Sequence, residues 1–445
     1  MNTPICDFVR TYAAQDKLRL HMPGHKGRPL LGFEALDLTE IEGADSLFEA
    51  DGIIRESEQN AGCIFGAHTF YSTEGSSQAI RAMLALAARY AANQGEPPLI
   101  LAARNAHKAF LSAVALLDLE LSWLPSHPED GYLSCRTTPK ELEQAIRSSA
   151  HRPTAVYLTA PDYLGNLPDV APLAEVCHRH GVLLLVDNAH GAYLKFLPQS
   201  RHPIDLGADA CCDSAHKTLP ALTGAAYLQI SHNAPRTFAE SAKDALALFC
   251  STSPSYLILQ SLDAVNAYLD DGYPTQLAAF LEQVNFKKAQ LSAHGYTFCG
   301  DEPLKWTLAA KAYGYTGTEL AARLAAHDVI CEFSDPDYLV LMLTPALESD
   351  GLERLCHALL QTPQRALLSE QPPRLTPRNT VYGVRQALLS PADLIPIEEA
   401  EGRVLAAFGV ACPPAVPIVV PGEQIDRNAI DAFRYYGIKT CRVIR

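Results

Sequence analysis

Lys217 and Asp187 are two residues near the middle of the chain whose side chains could carry out amine chemistry together. Lys217 lies in the segment Asp213–Pro220 (DSAHKTLP), and Asp187 directly follows an apolar run at residues 181–186. We expect each residue to end a strand, in neighbouring strands of one sheet. A lysine amine can condense with an aldehyde, and a carboxylate can keep a pyridine nitrogen protonated. The pair therefore indicates pyridoxal phosphate (PLP) chemistry, although a single lysine is more often a solvated surface charge.

A glycine and two hydroxyl groups precede a predicted helix and could hold an anion. Gly75, Ser76 and Ser77 come directly before the helix predicted at residues 78–92. The free N–H groups and dipole of a helix N-terminus, with two O–H donors, favour a phosphate. The alternative is that a serine simply caps the helix.

Further polar residues follow or flank the predicted strands. His107 follows the strand predicted at residues 99–102, where an open α/β sheet binds ligands, and its imidazole could stack on a planar ring. The alternative is a helix cap with an exposed imidazole. His190 lies one turn beyond Asp187, and Ser214 and His216 flank the lysine. A buried strand-end aspartate needs a cation or donors, and a protonated pyridine is such a cation.

Strands and helices alternate between residues 60 and 255. The predicted strands are 99–102, 119–124, 155–159 and 182–186, and the predicted helices are 78–92, 106–117 and 172–180. The continuous apolar character of residues 182–186 is typical of a parallel strand covered on both faces. The pattern predicts an α/β fold with right-handed crossovers.

The rest of the chain predicts a second, smaller α+β domain. Residues 256–294 are predicted to be helical with an interruption at 272–274, followed by β-α-β-β-α elements at 306–311, 317–327, 329–333, 338–343 and 350–361. A helix is predicted at 391–407, and prolines predict an extended path at 412–422. We expect an N-terminal wrapping segment at 1–60, a large domain at 61–270, and a C-terminal α+β domain with a proline-rich tail at 271–445.

Composition excludes several classes of protein. At 445 residues the chain is long enough for two or three domains, and its net charge of −14 with no basic run argues against a nucleic-acid partner. Twelve cysteines, none in a Cys-x-x-Cys pair, indicate reduced thiols and no zinc motif. No stretch approaches the length of a membrane span and the N-terminus lacks a leader pattern, so we expect no metal, no membrane association and a cytoplasmic location.

The chain order of these features is that of the fold-type I PLP enzymes: phosphate loop, stacking histidine, strand-end aspartate and then lysine. Four motifs narrow the group, because together they resemble those of the Orn/Lys/Arg decarboxylase family, the group III amino-acid decarboxylases. The motifs are His21–Gly27 (HMPGHKG), Ser214–Thr223 (SAHKTLPALT), Cys250–Tyr256 (CSTSPSY) and Pro417–Glu423 (PIVVPGE). The resemblance runs from about residue 20 to residue 423.

The resemblance implies a fold and a set of residue roles. The fold would be a PLP-dependent transferase-like large domain with a smaller α+β domain. Lys217 would carry PLP, Asp187 would pair with its pyridine nitrogen and His107 would stack on the ring. Ser76, Ser77, Ser214 and His216 would surround the cofactor's phosphate. Gly75 and His190 would also bind the cofactor. Ser251, Thr252 and Ser253 resemble a family segment that reaches the partner subunit's phosphate, which implies a homodimer or a dimer of dimers with shared active sites.

The chain departs from the family pattern at several places. The long members carry an N-terminal wing domain, whereas here the PGHK motif begins almost at once, so we expect a short form without that domain. Glu74, Asp162, Asp213 and Gly224 stand where the family more often has other residues. These positions surround the expected site and bear on the substrate rather than on the cofactor.

The expected activity is PLP-dependent decarboxylation of a basic L-amino acid, a carboxy-lyase reaction (EC 4.1.1) that yields an amine used in polyamine biosynthesis. Arginine is favoured over lysine and ornithine, because the short members that the chain resembles are often arginine decarboxylases. A carboxylate site built for the two-point fork of a guanidinium would also discriminate against lysine. Lys217 or His216 would return a proton to the α-carbon. Glu332 and Asp335 are candidates to bind the cationic side chain, and the alternative is that they are solvated turn residues. Rival functions are another fold-type I enzyme, an aminotransferase or lyase, and an inactive PLP-fold ligand-binding protein.

Overall fold

The computed structural model describes residues 1–15, 17–127, 129–409 and 414–445. The chain forms two compact units, the first made of Met1–Pro98, Thr154–Val156 and Val170–Ala278, and the second made of Leu99–Pro153, Tyr157–Asp169 and Ala279–Arg445. The domain boundaries predicted at residues 60 and 270 stay a prediction. Part of the proline-rich stretch at 412–422 lies outside the described residues.

A seven-stranded, mainly parallel sheet carries the strand ends of interest. Its strands are β1 (His68–Ser72), β2 (Leu99–Ala102), β3 (Glu120–Trp123), β4 (Ala155–Thr159), β5 (Leu183–Asp187), β6 (Ala210–Asp213) and β7 (Ala226–Ile230). Their order is β1-β7-β6-β5-β4-β2-β3. Strand β5 pairs with β6 and β2 pairs with β3 in parallel, whereas β7 runs antiparallel to β1 and β6. The predicted α/β class is confirmed.

Helices alternate with the strands of the sheet, as the sequence pattern predicts. In the first part of the chain they are α1 (Pro4–Ala13), α2 (Ile53–Phe65), α3 (Gly75–Asn93), α4 (Lys108–Leu117), α5 (Pro139–Ser148), α6 (Val170–Arg179), α7 (Ala215–Thr218), α8 (Arg236–Glu240), α9 (Ala242–Ala247), α10 (Tyr256–Asp270) and α11 (Tyr273–Ala293). The break between α10 and α11 falls at the predicted interruption. All five side chains of β5 are buried, as expected for a parallel strand covered on both faces.

Residues of the N-terminal segment contact helix α10. The Cys6 amide donates to the carboxylate of Asp263, and the Tyr256 hydroxyl donates to the carbonyl of Ala44. The segment also contains α1 and α2, which the sequence pattern did not indicate. Helix α1 begins with a proline in its first turn, a position that needs no N–H donor.

The second unit contains a small antiparallel sheet in the order β10-β11-β9-β8. Its strands are β8 (Phe298–Cys299), β9 (Lys305–Ala309), β10 (Phe333–Ser334) and β11 (Tyr338–Met342), and the later helices are α12 (Gly317–Ala325), α13 (Gly351–Leu360), α14 (Val384–Leu389) and α15 (Arg427–Tyr435). These elements confirm the predicted α+β pattern, although the strand predicted at 329–333 is reduced to the two residues of β10. Among the described residues, no helix is both long and apolar enough to cross a bilayer.

The helix predicted at residues 391–407 is wrong. Strand β12 (Ala392–Pro396) occupies the start of this range and pairs antiparallel with β13 (Thr440–Ile444). A proline at position 396 removes a helical hydrogen-bond donor, and the partner strand lies more than forty residues away along the chain. Residues 392–396 therefore form a strand because they pair with a distant segment, and a local sequence pattern cannot predict that pairing.

Candidate active site

Lys217 lies on the one-turn helix α7, four residues beyond the end of β6. The expectation that the lysine itself ends a strand is therefore wrong. Strand β6 stops at Asp213, where its pairing with β7 also ends, and the chain then turns so that the Lys217 amide donates to the Ser214 carbonyl at 3.1 Å. The His216 amide donates to the Ala225 carbonyl, which ties this turn to the residue before β7.

The amine of Lys217 contacts a histidine from the loop after β5. Its Nζ lies 2.9 Å from Nε2 of His190, and the imidazole is buried. The two nitrogens lie within hydrogen-bonding distance, with Lys217 as the donor when its amine is charged. The sequence placed both residues near the cofactor, and the structure brings them into direct contact.

Asp187 ends β5, as predicted, and its side chain is held by two donors. The Ala189 amide lies 3.2 Å from Oδ1 and the Cys212 thiol lies 3.4 Å from the same oxygen. Burial, together with the charge of Asp187, raises the pKa of Cys212 well above its usual range. The thiol therefore keeps its proton and donates a hydrogen bond to the Asp187 carboxylate.

A buried polar cluster behind Asp187 fixes the loop that carries His190. Asp213 is fully buried and accepts from Asn188 Nδ2 at 2.5 Å, from His202 Nε2 at 3.1 Å and from Gln229 Nε2 at 3.2 Å. A Cβ on Gly191 would lie 1.9 Å from Oδ1 of Asn188, so only glycine fits there. Sequence reasoning did not assign these residues, although it noted Asp213 as unusual for the family.

The same cluster contains a set of metal-ligating atom types. Ligand atoms of His202, Cys211 and Asp213 lie within 4.8 Å of one another. Burial is the main cause that raises the pKa of the Cys211 thiol well above its usual range, and a protonated thiol is a poor ligand. The Asp213 carboxylate already accepts hydrogen bonds from three side chains. The predicted absence of a metal stays a prediction.

The N-terminus of α3 has the features of an anion site. Gly75 opens the helix at φ +71°, where an L side chain would be strained, and its amide donates to Gly224. Glu74 is the N-cap residue and makes no side-chain capping bond, and Ser76 and Ser77 lie half-buried inside the first turn. The serines therefore lie within the helix rather than at its cap.

Two hydroxyl groups beside Lys217 lack hydrogen-bond partners. Ser214 and Thr218 are buried, and among the described residues neither Oγ of Ser214 nor Oγ1 of Thr218 has a partner. A buried unsatisfied hydroxyl costs about 1–3 kcal/mol, so a bound phosphate that accepted from one of them would offset that cost. The donors here fit a phosphorylated cofactor.

His216 is half-buried and its tautomer is set by the backbone. Its Nδ1 lies 2.9 Å from the carbonyl of Ala225, so Nδ1 carries the proton and Nε2 is the acceptor. Burial is the first cause that lowers the pKa of His216, and the nearby charge of Lys217 lowers it further. The imidazole is therefore held in its neutral form.

The structure shows where His107 and the segment at residues 251–253 lie, but it does not test the roles predicted for them. His107 is the N-cap of α4 in the second unit, and its Nδ1 accepts from the Ala109 amide at 3.0 Å. The Ser251 amide donates to the Glu74 carboxylate at 2.7 Å, next to the start of α3 in the same chain. Thr252 and Ser253 are exposed. Ring stacking by His107 and contact of this segment with a partner subunit stay predictions.

The two carboxylates proposed to bind the substrate differ in their surroundings. Glu332 is exposed and accepts from the Tyr163 hydroxyl at 3.0 Å. Asp335 is buried, and its Oδ1 accepts from the amides of Asp337 and Tyr338. Burial raises the pKa of Asp335 to about 6. The alternative of a solvated turn residue is therefore wrong for Asp335.

The sheet and the lysine site define a fold-type I PLP-dependent enzyme. Lysine decarboxylase A from Pseudomonas aeruginosa superposes with a TM-score of 0.82 at 17% identity, over 99% of this chain and 80% of that one. Residues 3–299 match the major domain and residues 361–440 the C-terminal domain of the Orn/Lys/Arg decarboxylases. The chain belongs to the Orn/Lys/Arg decarboxylase family and is an amino-acid decarboxylase.

Two relatives extend over almost the whole chain. Arginine decarboxylase from Bacillus subtilis is 29% identical, with 96% of this chain and 92% of the relative covered. Arginine decarboxylase from Halalkalibacterium halodurans is 28% identical, with 97% and 93% covered. The family resemblance expected from the four sequence motifs is confirmed.

Proposed function

We propose that this protein removes the α-carboxylate of a basic L-amino acid as CO2, with arginine favoured over lysine and ornithine. PLP bound at Lys217 would supply the electron sink for this reaction. The observation that carries the proposal is the contact of the Lys217 amine with His190. His190 lies in the loop after strand β5, and Asp187 is the last residue of that strand. An amine, an imidazole and a buried carboxylate, from the ends of the neighbouring strands β5 and β6 and the segments that follow them, are the groups that amine–aldehyde chemistry needs.

The remaining residues of the site would bind and orient the cofactor. Asp187 would hold the proton on the pyridine nitrogen, and the Cys212 thiol fixes the orientation of its carboxylate. The first turn of α3 and the unpartnered hydroxyls would bind the phosphate, through the set Gly75, Ser76, Ser77, Ser214 and Thr218. His107 would stack on the ring, which is an expectation from the family pattern.

The protonation states favour Lys217 over His216 as the proton donor to the α-carbon. His216 has a lowered pKa and its one ring proton is directed at the carbonyl of Ala225. To donate from Nε2 the ring would first have to gain a second proton, which the lowered pKa disfavours near neutral pH. The neutral Nε2 of His216 is suited instead to accept a hydrogen bond from a ligand.

The preference for arginine as the substrate is based on relatives that align with almost the whole chain. Relatives from two genera are named arginine decarboxylases, with more than nine-tenths of each sequence covered. The superposed lysine decarboxylase has only 17% identity and supports the fold alone. Asp335 supports a cationic side chain, because it is a buried carboxylate whose charge no neighbouring lysine or arginine bonds directly among the described residues.

The proposed setting is a cytoplasmic enzyme of polyamine biosynthesis that acts as a homodimer or a dimer of dimers. The eleven cysteines that the structure describes are free thiols, which suits a reducing compartment. The exposed segment at residues 251–253 lies beside the start of α3 in its own chain, through the bond between Ser251 and Glu74. Such a position lets a serine-rich loop approach a neighbouring subunit while it stays anchored near its own phosphate loop.

A competition assay tests the function. Equal concentrations of arginine, lysine and ornithine are incubated with the purified protein and PLP, and the products are identified by mass. Agmatine as the main product supports the ranking, whereas cadaverine or putrescine as the main product reverses it. A keto acid without CO2 would indicate an aminotransferase, and no product from any of the three would remove the assignment. Lys217→Ala serves as the inactive control.

A further inference from the structure

A cavity of about 470 Å³ lies in the second unit, within the size range of small-molecule sites. Three tyrosines and four acidic residues are among the residues that line it. The residues that matter for its chemistry are Tyr132, Tyr338, Tyr436, Lys311, Asp335 and Asp337. The lining as a whole includes four carboxylates and two cationic side chains, and one of the carboxylates, Asp130, is paired with Arg136.

Asp337 is already neutralised by groups of the protein. Its Oδ1 lies 2.8 Å from Nζ of Lys311 and 2.6 Å from the hydroxyl of Tyr435. The hydroxyl of Tyr436 lies 3.4 Å from Oδ2. A buried carboxylate with an ion pair and two hydroxyl donors has little remaining capacity for a ligand.

Asp335 differs from Asp337 because one of its oxygens has no donor. The Oδ1 atom accepts from the amides of Asp337 at 2.8 Å and Tyr338 at 2.7 Å, which fixes the side chain in place. The Oδ2 atom is buried and has no hydrogen-bond partner among the described residues. Burial raises the pKa of this carboxyl to about 6, so it is ionised at neutral pH and its charge lacks a direct counter-ion.

We propose that this cavity binds an organic cation of the guanidinium or alkylammonium type, with Asp335 as its carboxylate receptor. A cationic N–H donor would satisfy Oδ2 and remove the cost of a buried unpaired oxygen. The rings of Tyr132, Tyr338 and Tyr436 present faces or edges suited to a cation, and a planar guanidinium stacks on aromatic faces better than an ammonium does.

The identity of the cation rests on the proposed function, since that reaction has a guanidinium amino acid as substrate and a guanidinium amine as product. Both share the charged group that Asp335 would recognise. Glu332 is the rival carboxylate, but it is exposed, its carboxylate bonds the Tyr163 hydroxyl, and it is not part of the cavity wall. The structure therefore separates two carboxylates that are three residues apart in sequence.

Isothermal titration calorimetry tests the site. Agmatine and arginine are titrated separately into the PLP-loaded full-length chain that carries Lys217→Ala, so that no turnover interferes. Asp335→Asn keeps Oδ1 as the acceptor for the two backbone amides and removes the charge, so we expect binding to weaken at least about tenfold. The exposed carboxylate of Glu348 provides a matched control, and Glu348→Gln should bind within about twofold of the parent.

Steady-state kinetics with an otherwise native chain separates the two sources of the cation. If Asp335→Asn raises KM for arginine and leaves kcat nearly unchanged, the cation is the substrate side chain. If KM is unchanged while agmatine binding weakens, the cavity binds the amine apart from the reacting substrate. Either result supports the site.

Equal affinity of the Asp335→Asn and parent chains for both ligands would overturn the proposal, as would a comparable loss with Glu332→Gln alone. The outcome is separable from that of the proposed function. If the wild-type chain forms no amine but cation binding still depends on Asp335, the reaction assignment fails and the site stands. If amine forms and neither binding nor KM depends on Asp335, only the site fails.

Discussion

Nζ of Lys217 lies 2.9 Å from Nε2 of His190, which joins helix α7 to the loop after β5. The loop is itself held by the buried bond between Asn188 and Asp213. The position of the reactive amine therefore depends on the buried cluster that holds this loop. The lysine thus contacts an imidazole rather than a carboxylate, and Asp187 remains as the carboxylate for a cationic ring.

The amine of Lys217 should be the only covalent attachment point for PLP. The purified protein should absorb in the visible range, and reduction with borohydride should fix the pyridoxyl group on Lys217. Peptide mapping by mass spectrometry locates the group. A pyridoxyl group on a different lysine, or on none, would contradict the assignment, and Lys217→Ala provides the unlabelled control.

Asp187→Ala should retain the fold and lose most of the turnover. Without the carboxylate the pyridine nitrogen loses its proton more easily, so we expect kcat to fall at least about 10²-fold. The measurement is amine formation at saturating arginine with excess PLP. Asp244→Asn, on an exposed surface of α9, is the matched control and should keep its rate. A near-normal rate for Asp187→Ala would mean that other groups protonate the ring.

Gly191→Ala should disturb the site through steric overlap rather than through backbone strain. The backbone at Gly191 has φ −119°, which any residue adopts, but the new Cβ would meet Oδ1 of Asn188 at 1.9 Å. We expect a loss of about 1–3 kcal/mol in the free energy of unfolding, typical of an overpacked interior, and lower activity. Urea denaturation measures the first effect.

Gly383→Ala is the control for that substitution. Gly383 has φ −62° and no atom lies within 4 Å of the position of a new Cβ. Its substitution should change the free energy of unfolding by no more than about 0.5 kcal/mol. Equal effects at the two glycines would show that the packing of Asn188 does not control the loop.

Asp335→Asn should stabilise the protein at neutral pH. Burial is the largest cause that raises the pKa of Asp335 from 3.8 to about 6; Asp337 adds to the effect and Lys311 opposes it. The folded chain thus binds this proton more tightly than the unfolded chain, so stability decreases as pH rises from about 4 to about 6. The variant lacks this decrease, and above pH 6 its advantage reaches at most about 3 kcal/mol.

Thermal unfolding of both chains between pH 5 and pH 8 measures this effect. The difference in Tm should grow from pH 5 to about pH 7 and then level off. A constant difference across the range would indicate that Asp335 does not ionise in that interval, and a variant less stable at pH 8 would contradict the sign.

Assembly into at least a dimer should be required for activity. The segment Ser251–Ser253 is exposed within its own chain, and the proposed shared site gives it a role at a partner subunit. We expect dimers or dimers of dimers with two-fold symmetry in analytical ultracentrifugation. An active monomer at assay concentration would contradict a shared site.

The sequence by itself determined the α/β class and the buried strand that ends at Asp187. An uninterrupted apolar run followed by Asp187 predicts a covered parallel strand that ends in a carboxylate, because burial on both faces demands apolar side chains throughout. Helix α3 followed from propensity and from the glycine and serines at its start. These features depend on residues that are close together in the chain, so the local sequence pattern is enough to predict them.

Tertiary structure decided the features that depend on distant residues. Strand β12 replaced a predicted helix because its partner β13 begins 44 residues after Pro396. The contact of Lys217 with His190, and the neutralisation of Asp337 but not of Asp335, follow from which side chains the fold buries together. The sequence offered no reason to prefer Glu332 or Asp335 as the substrate-binding carboxylate. The two differ in burial, and the cost of removing a charge from water depends on its three-dimensional surroundings.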